Sequence, residues 1–197
     1  QVAGKKPEEK VTATTGTNSD SILWKNGGKF FQRVEAADMA RYQKAGELWE
    51  KHKGRLPYPK SVVLVGEKTK THLLGHHYRR WSDIFNPRQL LCLATILNEI
   101  GILESSACRD MLLSNFQMLI ERNSMFCRYY NDRDIVRGMF SRHDFHPLAQ
   151  PAETNIMGRG DWGGTWDNLK DRLIEGKAFN HCTFDWEPKE GGGKETI

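Results

Sequence analysis

The chain is poor in the features that commit a protein to a specialised environment. Its 197 residues include four cysteines, Cys92, Cys108, Cys127 and Cys182, with no Cys-x-x-Cys pair and no short fixed spacing, so neither a zinc ribbon nor a disulfide framework is implied. No apolar run approaches the roughly 20 residues that cross a bilayer. The opening residues are polar and charged rather than signal-like. Reduced thiols in a cytoplasmic protein, without a membrane partner, are the expectation. Neither sign of charge dominates: 29 Lys and Arg face 25 Asp and Glu, for a net charge of +4 and a pI near 8.9. That balance is compatible with nucleic acid but falls short of the basic footprint of a dedicated binder.

What is present suits one domain with a core: 38% apolar and 27% charged residues exclude general disorder. Residues 1–20 hold little to bury and read as a linker or lead-in, residues 21–188 as a single globular segment, and 189–197 as a flexible polar tail. Ile22-Leu23-Trp24 and Phe30-Phe31 flank Lys25-Asn26-Gly27-Gly28, which predicts a β-hairpin. Apolar residues near helical spacing predict an amphipathic helix from Glu35 to His52, stopped by Gly54 and Pro57. Ser61 to Val65 suits a strand or an extended loop, and Glu67 to Lys70 a charged connector. Asn86 as cap and Pro87 at the first helical position start a helix that runs to Ile100, with Gly101 ending it. A second helix, about Ser105 to Arg122, folds back on it and makes the core of the segment. Beyond Tyr130 the pattern weakens into turns until a last helix, Trp166 to Phe179, capped by Thr165. The fold expected is mainly α with a small β element.

The densest stretch is Trp81-Ser82-Asp83-Ile84-Phe85-Asn86-Pro87-Arg88-Gln89-Leu90-Leu91, which sets Arg88 and Gln89 in a first helical turn beside an aromatic loop. Downstream come Arg122-Asn123-Ser124 with Cys127-Arg128, then Phe140-Ser141-Arg142-His143-Asp144-Phe145, then Ala152-Glu153-Thr154-Asn155 and Gly158. In this order, over roughly Ser19 to Glu187, these motifs resemble signatures of the large adenine-specific DNA methyltransferases that contain a zinc ribbon, many of them tied to prokaryotic defence or restriction loci. The resemblance implies part of a larger α/β, Rossmann-like fold whose parent moves a methyl group from S-adenosylmethionine to the N6 amine of adenine in double-stranded DNA. None of the motifs is catalytic. The chain has no Pro-Pro pair for the Asp-Pro-Pro-Tyr type of loop that holds a flipped base. Gly158 to Gly164 follow no apolar strand and read as a mobile loop rather than a cofactor turn. The resemblance therefore implies an interior piece between the cofactor motif and the catalytic loop, with the flanking methyltransferase segments as partners and no catalytic, cofactor or metal site of its own. A stand-alone helical module that binds nucleic acid or protein without catalysis is the alternative.

Arg79, Arg80 and Arg88 around Trp81 and Phe85 suit phosphate contact and base stacking, or else the aromatics anchor the helices while the arginines stay solvated. Arg122, Arg128, Arg133, Arg137 and Arg142 form a second group for the DNA backbone, unless Asp132, Asp134 and Asp144 neutralise them within the fold. The DNA-binding set is taken as Arg79, Arg80, Trp81, Arg88, Gln89, Arg122, Arg142 and His143. Glu153 and Asn155, which in the family precede the catalytic region, either brace an active-site wall or form a turn. His72, His76 and His77 lack a fourth ligand, and Cys92 and Cys108 read as packed thiols.

Overall fold

In the computed structural model, which describes residues 21–25, 28–133, 135–142, 145–158, 163–181, 186–188 and 194–196, one helix is the axis of the fold. This helix, Pro87–Gly101, begins with a reciprocal capping box: Gln89 N–H donates to Asn86 Oδ1 at 2.9 Å, and Asn86 N–H donates to Gln89 Oε1 at 3.0 Å. Its apolar stripe is wide enough to pack in two directions. Leu90 and Ala94 meet Trp49, while Leu93, Ile96 and Ile100 meet Phe116, Leu119, Ile156 and Leu169.

In chain order, β1 (Ser21–Lys25) pairs antiparallel with β2 (Gly28–Gln32), the predicted hairpin; Asn26 and Gly27 of its turn lie outside the described residues. Helix α1 (Ala36–His52) follows, then α2 (Glu67–His72), the axial helix α3 (Pro87–Gly101), α4 (Ser106–Glu121), the hairpin β3 (Arg128–Tyr130) with β4 (Ile135–Arg137), α5 (Trp166–His181), and β5 (Trp186–Pro188) with β6 (Lys194–Thr196). The described residues are mainly helical, and every sheet among them is a two-stranded antiparallel hairpin. No helix among them is long and apolar enough to cross a membrane.

The expected α3–α4 pair is present, but it is only part of the core. Helix α1 lies against the opposite flank of α3, and α5 packs on α4, where Asn115 Nδ2 donates to the Leu169 carbonyl at 2.9 Å. Residues 61–65, left open between strand and extended loop, form the extended loop, with one bridge, Val62 to Arg80; Val63 is buried, but Leu64 and Val65 are 77% and 78% exposed. Three local expectations need correction. The charged connector is helix α2, because Thr69 Oγ1 accepts from Gly66 N–H at 2.8 Å and donates to the Leu64 carbonyl at 2.7 Å, closing its first turn. Around Tyr130, where the pattern weakens, β3 and β4 form strands of three residues, too short for an alternating pattern to register. Lys194–Thr196, expected in the flexible tail, pairs with Trp186–Pro188. The lead-in 1–20 lies outside the described residues.

Phe85 joins the parts. It packs against all three apolar clusters, the second of which holds Val63, Leu73, Ile84, Phe126 and Met139. Trp81 stands edge-on to Phe145 at 5.3 Å between ring centroids. Both aromatics of the dense motif therefore serve packing, and Trp81 is not presented as an open stacking surface.

Candidate functional site

Motifs far apart in the chain meet at the start of α3. Glu153, in the loop before α5, receives three hydrogen bonds from the Asn86-Pro87-Arg88 turn: Arg88 Nε to Oε1 at 2.9 Å, Arg88 Nη2 to Oε2 at 2.8 Å, and Asn86 Nδ2 to Oε2 at 2.8 Å. The guanidinium grips the carboxylate at both oxygens, the strongest geometry for such a pair. The other side of Arg88 is covered by α1, whose Tyr42 ring lies 5.1 Å from the guanidinium carbon. Hydrogen bonding to Glu153 holds the Arg88 pKa above its ordinary value, against burial, which lowers it. Burial, with the Glu153 charge second, raises the Tyr42 phenol and the Cys92 thiol. Cys92 is thus kept as a thiol and is not an activated nucleophile.

A second junction lies one layer deeper. Asn123, fully buried, donates through Nδ2 to the carbonyls of Leu119 at 2.7 Å and Gly164 at 2.9 Å, and its Oδ1 accepts from the Thr154 hydroxyl. Ala152 N–H donates to the Cys127 carbonyl at 2.7 Å. Trp166 and Asp167 N–H donate to the carbonyls of Ile156 and Met157 at 2.7 and 3.0 Å. The segment 152–158 is thereby sewn between the end of α4 and the start of α5. Thr165 Oγ1 accepts from Asn168 N–H at 3.4 Å, as expected of an N-cap.

The expected DNA contacts separate under this geometry. Gln89 is 1% exposed and its side-chain oxygen is spent on the capping box, so it does not face a ligand, a correction that follows from its position on the buried side of the first turn. Arg88, expected at phosphate, is taken up by Glu153. Arg122 is half-buried beneath Gly163 and Gly164. Arg79 and Arg80 are exposed, their backbone N–H groups both donating to Asp83 Oδ2 at 2.8 Å, and neither guanidinium has a carboxylate partner among the described residues. Arg142 is described only as the end of the helical turn Met139–Arg142, and His143 lies outside the described residues. Glu153 ties the loop before α5 to the start of α3, whereas Asn155 is exposed and accepts from Gly158 N–H at 3.4 Å, closing a turn.

Residues 159–162, the centre of the glycine-rich stretch, lie outside the described residues, as does Cys182. Cys108 is exposed rather than packed, whereas Cys127 is buried and its thiol donates to the Glu121 carbonyl at 3.4 Å. No three potential metal ligands gather among the described residues; His72 sits in α2, His76 in the turn after it, and His77 has a positive φ of 68°. Beside α3 a cavity of about 270 Å³ is lined by Trp81, Phe85, Leu93, Leu97, Phe116 and Phe140 among others. No side chain of its lining carries a charge or an amide.

The Arg88–Glu153 contact is testable. Glu153→Ala strands a partly buried guanidinium and the Asn86 amide, and is expected to cost about 1–3 kcal/mol once the solvent exposure of Arg88 is allowed for. In urea unfolding, Arg88→Ala and Glu153→Ala should show a coupling of about 1 kcal/mol in a double-mutant cycle; strict additivity would remove the pair from the stabilising interactions.

No family model, curated protein or solved structure matches this chain.

Proposed function

We propose that the chain is an interior scaffold segment of an adenine-specific DNA methyltransferase of the zinc-ribbon class, built into a larger Rossmann-like fold. The observation that carries this reading is the convergence of the resembling motifs: Asn86 and Arg88 of the first clasp Glu153 of the last, and Asn123 of the second clasps Thr154 beside it. Residues that a shared scaffold must keep in register are in contact here, although 65 and 67 positions separate the first pairs.

Gly158 and Gly164 do not form a turn that would seat S-adenosylmethionine. A cofactor turn needs glycines whose missing side chains leave room for the ligand. At Gly158 and Gly164 that room is filled by Thr165 and Arg122, since a Cβ would stand 2.7 Å from Thr165 Oγ1 and 2.4 Å from Arg122 Cδ respectively. No step of methyl transfer is assigned to this chain; cofactor and base would be held by flanking segments of the parent enzyme.

The test is transfer of labelled methyl groups from S-adenosylmethionine to adenine-containing duplex DNA, with calorimetric titration of the cofactor alongside. The isolated chain should show neither transfer nor cofactor binding, and the protein read through its flanking coding sequence should show both. Stoichiometric cofactor binding by the isolated chain, or an extended protein without transfer, would overturn the proposal.

A further inference from the structure

The hairpin β3–β4 carries a cationic cluster that no ion pair among the described residues answers. Val136 is buried and Ile135 is exposed, so Val136 and its cross-strand partner Tyr129 face the body. Arg128, Tyr130, Ile135 and Arg137 then share the opposite face. Arg128 and Arg137 are direct cross-strand partners, which sets like charge against like charge and opposes the pairing. The Tyr130 ring mediates between them, with the guanidinium carbon of Arg137 4.1 Å and that of Arg128 4.9 Å from its centroid. Neither guanidinium pairs with a carboxylate among the described residues, and Arg128 Nε is buried without a hydrogen-bond partner. Asp132 in the intervening turn is exposed and paired with neither, while Asp134 and Asp144 lie outside the described residues.

Two guanidiniums gathered on one ring, with no carboxylate paired to either among the described residues, form a receptor for an oxyanion, because each presents its donors in a planar fork matched to phosphate oxygens. We infer that the Arg128–Tyr130–Arg137 face of this hairpin binds the sugar-phosphate backbone of nucleic acid. Ile135, 41% exposed on the same face, adds an apolar surface of the kind that lies against sugars and bases rather than against a free ion. The choice of polymer rests on the reading of the chain as part of a DNA-modifying enzyme. Arg128 and Arg137 belong to the second arginine group read from the sequence but not to the DNA-binding set taken from it; Arg88 and Gln89 of that set are consumed within the fold, whereas the hairpin cations have no carboxylate partner among the described residues.

The test is fluorescence anisotropy of the full chain, without cofactor, against a short labelled duplex across a salt series. Arg128→Gln and Arg137→Gln should each weaken binding severalfold and flatten the log–log salt slope by about one unit. Arg41→Gln, whose guanidinium is paired with Asp38 on α1, should change neither. Arg137→Lys and Arg137→Glu both lose the stacked guanidinium but differ in charge; Lys should bind at least tenfold more tightly than Glu, and equal affinities would overturn the inference whatever happens to the hairpin. Unchanged slopes in both glutamine variants would do the same. Displacement of the duplex by inorganic phosphate, at an ionic strength where sodium chloride leaves it bound, would assign the site to free phosphate instead. Because binding is read without methyl transfer, failure of the enzyme reading leaves a measured duplex contact standing, and failure of this inference leaves the methyl-transfer result standing.

Discussion

Leu119→Ala is expected to cost about 2–5 kcal/mol, the range for a fully enclosed leucine replaced by alanine. Leu119 is 0% exposed and packs with Leu93, Ile96, Ile100, Phe116, Ile156 and Leu169, so the cavity left would be bounded by α3, α4, α5 and the 152–158 segment at once. Walls drawn from several elements relax together only at the expense of other contacts, which places the cost in the upper part of that range. For a chain of this size the loss corresponds to a fall in Tm on the order of 10 °C. Lys170→Ala is the control: Lys170 is 43% exposed and pairs with Asp167 at 3.4 Å and Asp171 at 3.5 Å, a surface arrangement worth about 0–1 kcal/mol. Equal losses at Leu119 and Lys170 in thermal unfolding would mean that the core lies elsewhere. Leu97 shares the apolar stripe of α3 but is only half-buried beside the cavity, so Leu97→Ala should cost less than Leu119→Ala.

Gly164→Ala is expected to destabilise by about 2–5 kcal/mol, from two separate causes. The residue has φ of +84°, where a Cβ adds about 1–2 kcal/mol of backbone strain. The new methyl group would stand 2.4 Å from Arg122 Cδ and 2.9 Å from Arg122 Cβ, and overpacking of this kind costs about 1–3 kcal/mol. Any shift that relieves the clash also pulls the Gly164 carbonyl from Asn123 Nδ2, at 2.9 Å, and loosens the junction of α4 with the 152–158 segment. Gly176→Ala in α5 makes the contrast, because nothing lies within 4 Å of the added methyl group. There the helix should gain about 0.5–1 kcal/mol. Denaturant titrations of the two variants should therefore move in opposite directions; a Gly164→Ala midpoint at or above that of the parent chain would refute the packing described here.

The helices were legible because their signals are local. Asn86, Pro87 and Gln89 place the start of α3 within four residues, and Ser105 does the same for α4, where its hydroxyl accepts from Cys108 N–H at 3.3 Å. Helix α2 escaped notice because it is six residues long and its first turn is closed by Thr69, a residue ambiguous between turn and helix. Strands β3 and β4 escaped for a similar reason, each being three residues long with a pairing that depends on a partner across a turn.

The sequence by itself determined the longer helices and where they begin, because capping and apolar periodicity act over a single turn of chain. Only the tertiary structure decided what the motif residues do. Arg88 reads as a phosphate ligand or a solvated side chain until the 152–158 segment brings Glu153 within 2.9 Å, and Gln89 reads as a DNA contact until α3 is turned so that its first turn is half enclosed. The balance is reversed at the β3–β4 hairpin, where aspartates near in sequence suggest neutralised arginines, yet the strand register sets Arg128 opposite Arg137 over Tyr130 with no described carboxylate paired to either. Charge pairing depends on distances of a few ångströms between segments distant in the chain, and the order of residues carries no direct record of those distances.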